Sequence, residues 1–167
     1  YKWWKKQDTD WPQVQLEIVD IWHFGLSDVL VRMRTIEQAA DFIGAELEKY
    51  YSEYSGAQLT LHDATEAMAQ SCLVSRSFEV APFIDLMRAA DFDFEALYTG
   101  YVGKNVLNFF RQDNGYKEGT YHKLWDKRED NEHLSEVVAE LDSRSEQFAE
   151  DIYSALTNRY IELTETA

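Results

Sequence analysis

VQLEIVDIWHFGLSDVL, residues 14–30, is apolar on nearly every side when it is drawn as a helix. Asp10 can cap such a helix and Pro12 fits its first turn, so we predict a helix from about Pro12 to Arg34. A helix that is apolar nearly all round is expected to be buried. The stretch therefore favours a core made of packed helices.

The rest of the chain also favours helices. With only 7 Gly and 2 Pro in 167 residues, long stretches run without a helix breaker. Thr35-Ile-Glu-Gln38 has the form of a capping box, which marks the start of a second helix. We predict an all-α fold in a single domain spanning residues 1–167. The helices beyond the first are expected at about 35–56, 60–78, 82–90, 94–112 and 131–163, with irregular chain at 116–128.

Composition narrows the possible function classes. The net charge is −15, which argues against general binding to nucleic acid or to anionic membranes. No apolar stretch approaches the roughly 18 residues that span a bilayer, and no signal-peptide pattern opens the chain. The lone cysteine, Cys72, cannot form an internal disulfide and fits a reducing compartment, so we expect a cytoplasmic protein.

Two carboxylates interrupt the apolar helix. Glu17 and Asp20 are three residues apart and therefore share one helical face. A buried unpaired carboxylate is unstable, so each must be protonated, paired with a cation or bound to a metal ion. Oxygen ligands without Cys or a His pair suit a hard cation such as Mg²⁺. The alternative is a pair of structural salt bridges to Lys or Arg.

A basic stripe lies in the predicted helix 94–112. Lys104, Asn108 and Arg111 stand at i, i+4 and i+7 and share one face. Residues 100–128 carry six basic and three acidic side chains, a local excess of positive charge in an acidic protein. Such donors suit the oxygens of a phosphate-bearing ligand, and the alternative is a solvated helix face followed by a turn. Further donors follow in a loop that contains two glycines: Tyr116, Lys117, Tyr121 and Lys123.

Five segments follow one another in the order seen in a known family: Tyr1-Lys-Trp-Trp-Lys-Lys-Gln, Glu17-Ile-Val-Asp20-Ile-Trp-His-Phe, Gly103-Lys-Asn-Val-Leu-Asn-Phe-Phe-Arg-Gln-Asp, Gly115-Tyr-Lys-Glu-Gly-Thr-Tyr and Glu129-Asp-Asn. Together they resemble the dimeric dUTPases, which belong to the all-α nucleotide pyrophosphohydrolases along with the MazG-like enzymes. The resemblance covers most of residues 1–133. The block from Gly103 to Asn131 is specific to the dUTPase branch, whereas E-x-x-D alone marks only the superfamily.

This resemblance implies a helical bundle, a homodimer and a requirement for Mg²⁺. It implies hydrolysis of dUTP to dUMP and pyrophosphate, with dUDP as a further substrate that releases phosphate. By the same resemblance, Glu17 and Asp20 would be metal ligands and catalytic carboxylates. The residues that would bind substrate fall into a uracil group, Trp4 and His23, a deoxyribose group, Phe24 and Asn108, and a phosphate group, Lys104, Arg111, Tyr116, Lys117 and Lys123.

The sequence departs from the family pattern at its start. The family carries an E-x-x-E pair on the helix before its Lys-Trp-Trp-Lys segment, and one of those carboxylates usually activates the water. This sequence begins at Tyr1, after that point. We therefore expect a dUTPase-like domain that lacks its N-terminal E-x-x-E helix. Two rivals stay open: a dCTP or broad house-cleaning pyrophosphohydrolase, and a catalytically inactive nucleotide-binding module.

Overall fold

The computed structural model describes residues 10–53 and 58–164. Helices dominate this part of the chain, and the prediction of an all-α fold is confirmed. None of the described helices is both long and apolar enough to cross a membrane. The described elements, in chain order, are α1 (Trp11–Met33), α2 (Ile36–Glu53), α3 (Leu61–Ser75), α4 (Val80–Ala89), α5 (Phe94–Asp113), β1 (Leu124–Trp125), β2 (Arg128–Glu129), α6 (Asp130–Ala139) and α7 (Phe148–Thr164).

Capping side chains set the starts of the first three helices. At α1, Asp10 Oδ1 accepts a hydrogen bond from the Gln13 backbone N–H at 3.2 Å. At α2, Thr35 Oγ1 accepts one from the Gln38 N–H, also at 3.2 Å. Thr60 caps α3 in the same way. Each bond satisfies a backbone donor that the first helical turn leaves without an internal partner, so these starts follow from local sequence alone.

Burial on α1 differs from the sequence expectation. The helix buries one stripe rather than its whole circumference, while Phe24 and Val31 are 77% and 81% exposed in the single chain. The expectation that nearly every side would be covered is wrong because neighbouring helices pack against one face only. The buried stripe consists of Ile18, Val19, Trp22, Gly25 and Val29.

The chain folds into two compact units, Tyr1–Leu97 and Tyr98–Ala167. Unit 1 is built around aromatic rings: Trp22 stacks on Phe83 with ring centroids 5.2 Å apart and meets Phe78 edge-on at 5.9 Å. Gly25 permits this packing, because a Cβ at that position would lie 2.4 Å from the Phe78 ring. The single-domain organisation stays a prediction.

Unit 2 has its own apolar core. Phe110 lies at its centre, with its ring centroid 5.8 Å from that of Trp125 and 5.5 Å from that of Tyr160. Strands β1 and β2 form an antiparallel hairpin, and its two turn residues, Asp126 and Lys127, both have positive φ. That conformation is typical of the two-residue turn that suits the twist of paired strands. The buried core residues of the unit are Val106, Leu107, Phe110, Trp125, Leu134, Val137, Phe148, Ile152 and Leu156.

Three predicted element boundaries need correction. The last helix, predicted as one from Asn131 to Leu163, is two helices, α6 and α7, separated by residues 140–147. Asp142 Oδ1 accepts from the Arg144 N–H, and such side-chain bonds to the local backbone compete with helix. Helix α3 ends at Ser75 rather than near Phe78, because Arg76 adopts a left-handed conformation with φ 57°. The stretch 116–128, predicted as irregular, includes β1 and the start of β2.

Candidate functional site

The predicted metal ligands lie in the middle of α1. Glu17 is exposed and Asp20 is half-buried, so the expectation that both carboxylates are buried is wrong. Glu17 Oε1 accepts a hydrogen bond from Gln13 Nε2 at 2.7 Å, one helical turn earlier. A neutral amide partner leaves the negative charge of Glu17 uncompensated by this bond. The carboxylate is thus an accessible anionic oxygen ligand on the surface of unit 1.

The chemistry of this pair fits a divalent cation. Mg²⁺ is commonly held in enzymes by one or two carboxylates, with water and substrate phosphates completing its coordination. Glu17 and Asp20 offer two carboxylates on one helical face, and solvent reaches both. A third acidic residue of the helix, Asp28, is used differently, since its Oδ2 accepts from Arg32 Nε and from the Phe78 N–H, both at 3.0 Å. Asp28 therefore has a structural role on α1.

The residues predicted to contact the base and sugar also belong to unit 1. His23 is half-buried, and its backbone oxygen accepts from Ser27 Oγ at 2.9 Å. Phe24 follows it on the exposed side of α1, with most of its ring in solvent. Trp4 lies outside the described residues. The helix therefore carries the predicted metal ligands, His23 and Phe24 on consecutive turns.

A different group of possible metal ligands occurs on α3. Within the described ranges, His62, Asp63 and Glu66 are the group of three whose ligand atoms lie close enough to share an ion. All three are exposed, and His62 lies 3.8 Å from Asp63 and 3.7 Å from Glu66. The group contains none of the predicted ligands, and its contacts are those of ordinary surface ion pairs.

The predicted basic stripe lies on α5, in unit 2. Lys104, Asn108 and Arg111 are all half-buried, in contrast to the exposed residues of the loop that follows. Arg111 Nη1 donates to Asn108 Oδ1 at 3.3 Å, so two members of the stripe are in contact. Val106, Leu107 and Phe110 of α5 belong to the core of the unit. The core therefore fixes the direction in which this stripe faces.

Arg111 is engaged with a buried carboxylate. Its Nε and Nη2 donate to the two oxygens of Asp130, each at 2.7 Å, in a bidentate ion pair. Asp130 is 0% exposed, and Tyr121 donates its hydroxyl to the same carboxylate at 2.8 Å. The charge-assisted bonds satisfy an anion that would otherwise be unstable in the core. Arg111, which we predict to bind phosphate, thus has a structural contact as well.

The pKa values of Arg111 and Tyr121, the two residues that donate to Asp130, are both shifted. Burial by itself would lower the pKa of Arg111, but hydrogen bonding and attraction to Asp130 outweigh burial, and the pKa is raised above its ordinary value. Burial raises the pKa of Tyr121, and its hydrogen bond to Asp130 raises it further. Arg111 therefore remains a cation and Tyr121 remains a neutral donor throughout the physiological range.

The loop after α5 folds back on the end of that helix. Gly115 has φ 88°, and the Tyr116 N–H bonds to the Arg111 oxygen at 2.9 Å, which is a Schellman-type helix end. The Gly115 oxygen then accepts from the backbone N–H groups of Thr120 at 3.0 Å and Tyr121 at 3.3 Å. These bonds hold the loop closed. A Cβ on Gly115 would clash with the Thr120 side chain, so glycine is required here on two counts.

The remaining predicted phosphate ligands lie on this loop and just beyond it. Tyr116 is 57% exposed, and Lys117 and Lys123 are also exposed. Lys123 Nζ lies 3.2 Å from Glu129 Oε2, an exposed ion pair that a competing anion can break at little cost. The structure therefore places Arg111, Asn108, Tyr116, Lys117 and Lys123 along α5 and the loop that continues it.

Sequence reasoning did not single out Asp130 as part of this group. Asp130 begins α6 directly after Glu129, and an acidic residue in the first turn of a helix is usually explained by the helix dipole. Nothing in the local pattern distinguishes a buried carboxylate from an exposed one there. The one usable signal is its place in the Glu129-Asp-Asn segment that resembles the family.

Comparison with known proteins bears on the carboxylates of α1 and on the basic stripe of α5. No curated protein matches the chain. A family model described as dUTPase matches residues 1–116. The matched range contains the acidic residues of α1, the basic stripe of α5 and Tyr116, while Lys117, Lys123 and Asp130 lie beyond it. Since the match covers more than half of the 167 residues, the chain belongs to the dUTPase family.

Proposed function

We propose that this protein hydrolyses dUTP to dUMP and pyrophosphate, and dUDP to dUMP and phosphate, with Mg²⁺ as cofactor. The observation that carries the proposal is the family match, whose range includes both the accessible carboxylates of α1 and the cationic stripe of α5. A cytoplasmic location, where the single thiol of Cys72 would stay reduced, belongs to the same proposal. The substrate follows from family membership, and the geometry supplies its possible ligands.

The two groups of residues have complementary tasks in this proposal. Glu17 and Asp20 would hold Mg²⁺, which when bound supplies Lewis-acid polarisation of phosphate oxygens and a means of orienting the attacking water. Lys104, Arg111 and the two loop lysines would neutralise charge on the phosphates as the phosphoryl group is transferred. Tyr116 and Asn108 would add neutral donors. These residues act mainly by position and charge, because phosphoryl transfer requires little covalent help from a protein.

Selectivity for the base requires more than shape. Uracil and cytosine are nearly the same size, so only donors and acceptors matched to the uracil edge can separate them strongly. Trp4, His23 and Phe24 are the residues that we propose for binding base and sugar. An aromatic ring in solvent, such as Phe24, is available to pack on a nucleoside.

The first test is a substrate comparison on the complete protein. With Mg²⁺ we expect dUTP to be hydrolysed at least about 10²-fold more efficiently than dCTP, because a site that hydrogen-bonds one base edge leaves buried groups unpaired with another. Pyrophosphate release from dUTP, dCTP, dTTP and UTP measures this ratio. Equal kcat/KM for dUTP and dCTP would instead favour a broad pyrophosphohydrolase, and no turnover of any substrate would favour an inactive binding module.

We also propose a homodimer. Phe24 borders an open groove of about 350 Å³ on unit 1, which is lined also by Ile21, Met68 and Cys72. Two consecutive apolar residues near the end of α3 in the same unit, Leu73 and Val74, are each about 80% exposed. Large exposed apolar patches usually mark an interface. A second copy of the chain would bury Leu73 and Val74, as the resemblance to dimeric enzymes implies.

Sedimentation equilibrium at micromolar concentration tests the dimer. We expect twice the mass of one chain for the parent and a shift towards a single chain for Val31→Glu, which adds a charge to the exposed side of α1. Ile161→Glu, at an exposed apolar position on α7 in unit 2, is the control and should leave the mass unchanged. A parent that sediments as one chain would contradict the proposal.

A further inference from the structure

We propose that Asp130 is a positioning residue for the phosphate ligands of unit 2, orienting Arg111 and Tyr121 without touching the nucleotide itself. The inference rests on the proposed function, because it deepens the role of the cationic residues on α5. The Asp130 side chain is 0% exposed, whereas that of Arg111 retains 16% exposure. Asp130 can therefore act on a bound anion only through the residues that it holds.

The bidentate pair determines the plane of the Arg111 guanidinium. Two parallel N–H···O bonds of 2.7 Å fix both the position and the tilt of this group, which a single bond would not. A guanidinium carries five N–H donors. Among the described residues, the hydrogen bonds to Asp130 use two of them and the bond to Asn108 uses a third, and these three bonds do not use one hydrogen on Nη1 and one on Nη2. These are the two donors that a phosphate would use.

Asp130 also fixes the loop that carries the other proposed ligands. The Tyr121 hydroxyl donates to Asp130 Oδ2, and the Asp130 backbone N–H donates to the Lys123 oxygen at 3.0 Å. One residue thus links Arg111 on α5, the loop, and the first turn of α6. Side chains that are already in place lose less entropy when a ligand binds, and an error of about 1 Å in position can reduce a rate about 10²-fold.

A carboxylate that only stabilised the fold would behave differently. Loss of such a carboxylate would lower the stability of the fold. The folded protein would keep its preference for a phosphorylated ligand over an unphosphorylated one. The affinity ratio between a deoxyuridine triphosphate and deoxyuridine is therefore the quantity that separates a positioning role from a structural role.

The experiment uses the complete protein with Mg²⁺ and two probes, the non-hydrolysable α,β-imido analogue of dUTP and deoxyuridine. Calorimetric titration gives the Kd of each probe for the parent, Asp130→Asn and Tyr121→Phe. We expect Asp130→Asn to raise the Kd of the analogue about 10- to 100-fold, while the Kd of deoxyuridine changes less than about threefold. Tyr121→Phe, which keeps the ion pair, should raise the Kd of the analogue by a smaller factor.

Tyr153→Phe is the matched control. Tyr153 donates its hydroxyl to Asp113 at 2.9 Å, so this change removes the same atom from another Tyr–Asp pair of the same unit. Binding of both probes should match that of the parent. Where Asp130→Asn does not fold at the assay temperature, Tyr121→Phe decides the question, since it removes one hydrogen bond and leaves Asp130 paired with Arg111.

The outcomes separate this inference from the proposed function. A parent that turns over dUTP, together with folded variants in which both Kd values are unchanged or rise equally, would overturn the positioning role alone. A Tyr121→Phe protein that binds the analogue like Tyr153→Phe would do the same. A parent that neither hydrolyses dUTP nor binds the analogue would overturn the proposed function, and the positioning role with it.

Discussion

Asp20→Asn in the complete protein should abolish dUTP turnover while leaving the metal-free fold as stable as that of the parent. If Asp20 holds Mg²⁺ with Glu17, the change removes one anionic ligand at nearly constant shape. The rate should fall at least as far as the roughly 10²–10³-fold that follows loss of one electrostatic contact in an active site. Removing a charge next to a like charge should leave the metal-free protein unchanged or slightly more stable.

Thermal unfolding of parent and variant, each in EDTA and in Mg²⁺, tests the stability half of this prediction. Mg²⁺ should raise the melting temperature of the parent, because an ion that binds only the folded state stabilises it, and should do so less for Asp20→Asn. If Asp20 instead neutralises a cation of the protein, the variant should melt lower than the parent in both buffers. Two results together would exclude the metal site: a parent melting temperature that does not change when Mg²⁺ is added, and an Asp20→Asn protein that is less stable than the parent in EDTA.

Asp28→Asn supplies a matched control on the same helix. Asp28 pairs with Arg32 and accepts from the Phe78 N–H, so its contacts are structural. Its substitution should lower stability by about 1–3 kcal/mol in both buffers, because a hydrogen bond between a charged group and the backbone is weakened. Turnover by the folded fraction should persist. The two variants therefore show opposite patterns of stability and activity.

Arg111→Met should lower the free energy of unfolding by about 3–5 kcal/mol, because it strands the buried carboxylate of Asp130. For a protein of this size that corresponds to roughly 6–20 °C in Tm. The double variant Arg111→Met with Asp130→Asn should recover much of the loss, since the neutral amide can still accept from Tyr121 without a buried charge. Thermal and urea unfolding of both variants and the parent measure the difference.

An exposed arginine gives the comparison for this effect. Arg128 also pairs with two carboxylates, Glu132 and Glu136, but its side chain is 41% exposed. Arg128→Met should leave the unfolding midpoint close to that of the parent, because solvent screens such pairs. If Arg111→Met has the same unfolding midpoint as Arg128→Met, the buried Asp130 carboxylate does not depend on Arg111 for its stability. The role that we assign to the buried ion pair would then be wrong.

Local signals explain which parts of the fold could be predicted. Asp10 and Thr60 accept from backbone donors three residues ahead, and Gly115 ends α5 with a positive φ, so neighbours in sequence are enough. The break between α6 and α7 was missed although Asp142 lies in it. The helical spacing of apolar residues continues across the break, so it predicts one unbroken helix. That spacing gives no sign that the Asp142 side chain accepts a hydrogen bond from the local backbone.

In the candidate site too, some features could be predicted from local sequence and others could not. Lys104, Asn108 and Arg111 could be assigned to one face of a helix because their spacing is helical, and α5 confirms that placement. The contact of Arg111 with Asp130 spans 19 residues of sequence and depends on how α6 begins beside α5. No pattern within either segment contains that information.

The sequence by itself determined the helical class, most helix starts, membership of the dUTPase family and the two groups of polar residues. Only the tertiary structure decided which carboxylates are buried. Glu17, set in an apolar helix, is exposed, whereas Asp130, at the start of a polar helix, is fully enclosed. The physical reason is that burial depends on what packs against a residue from elsewhere in the chain, while helix spacing and capping depend on neighbours within about four positions.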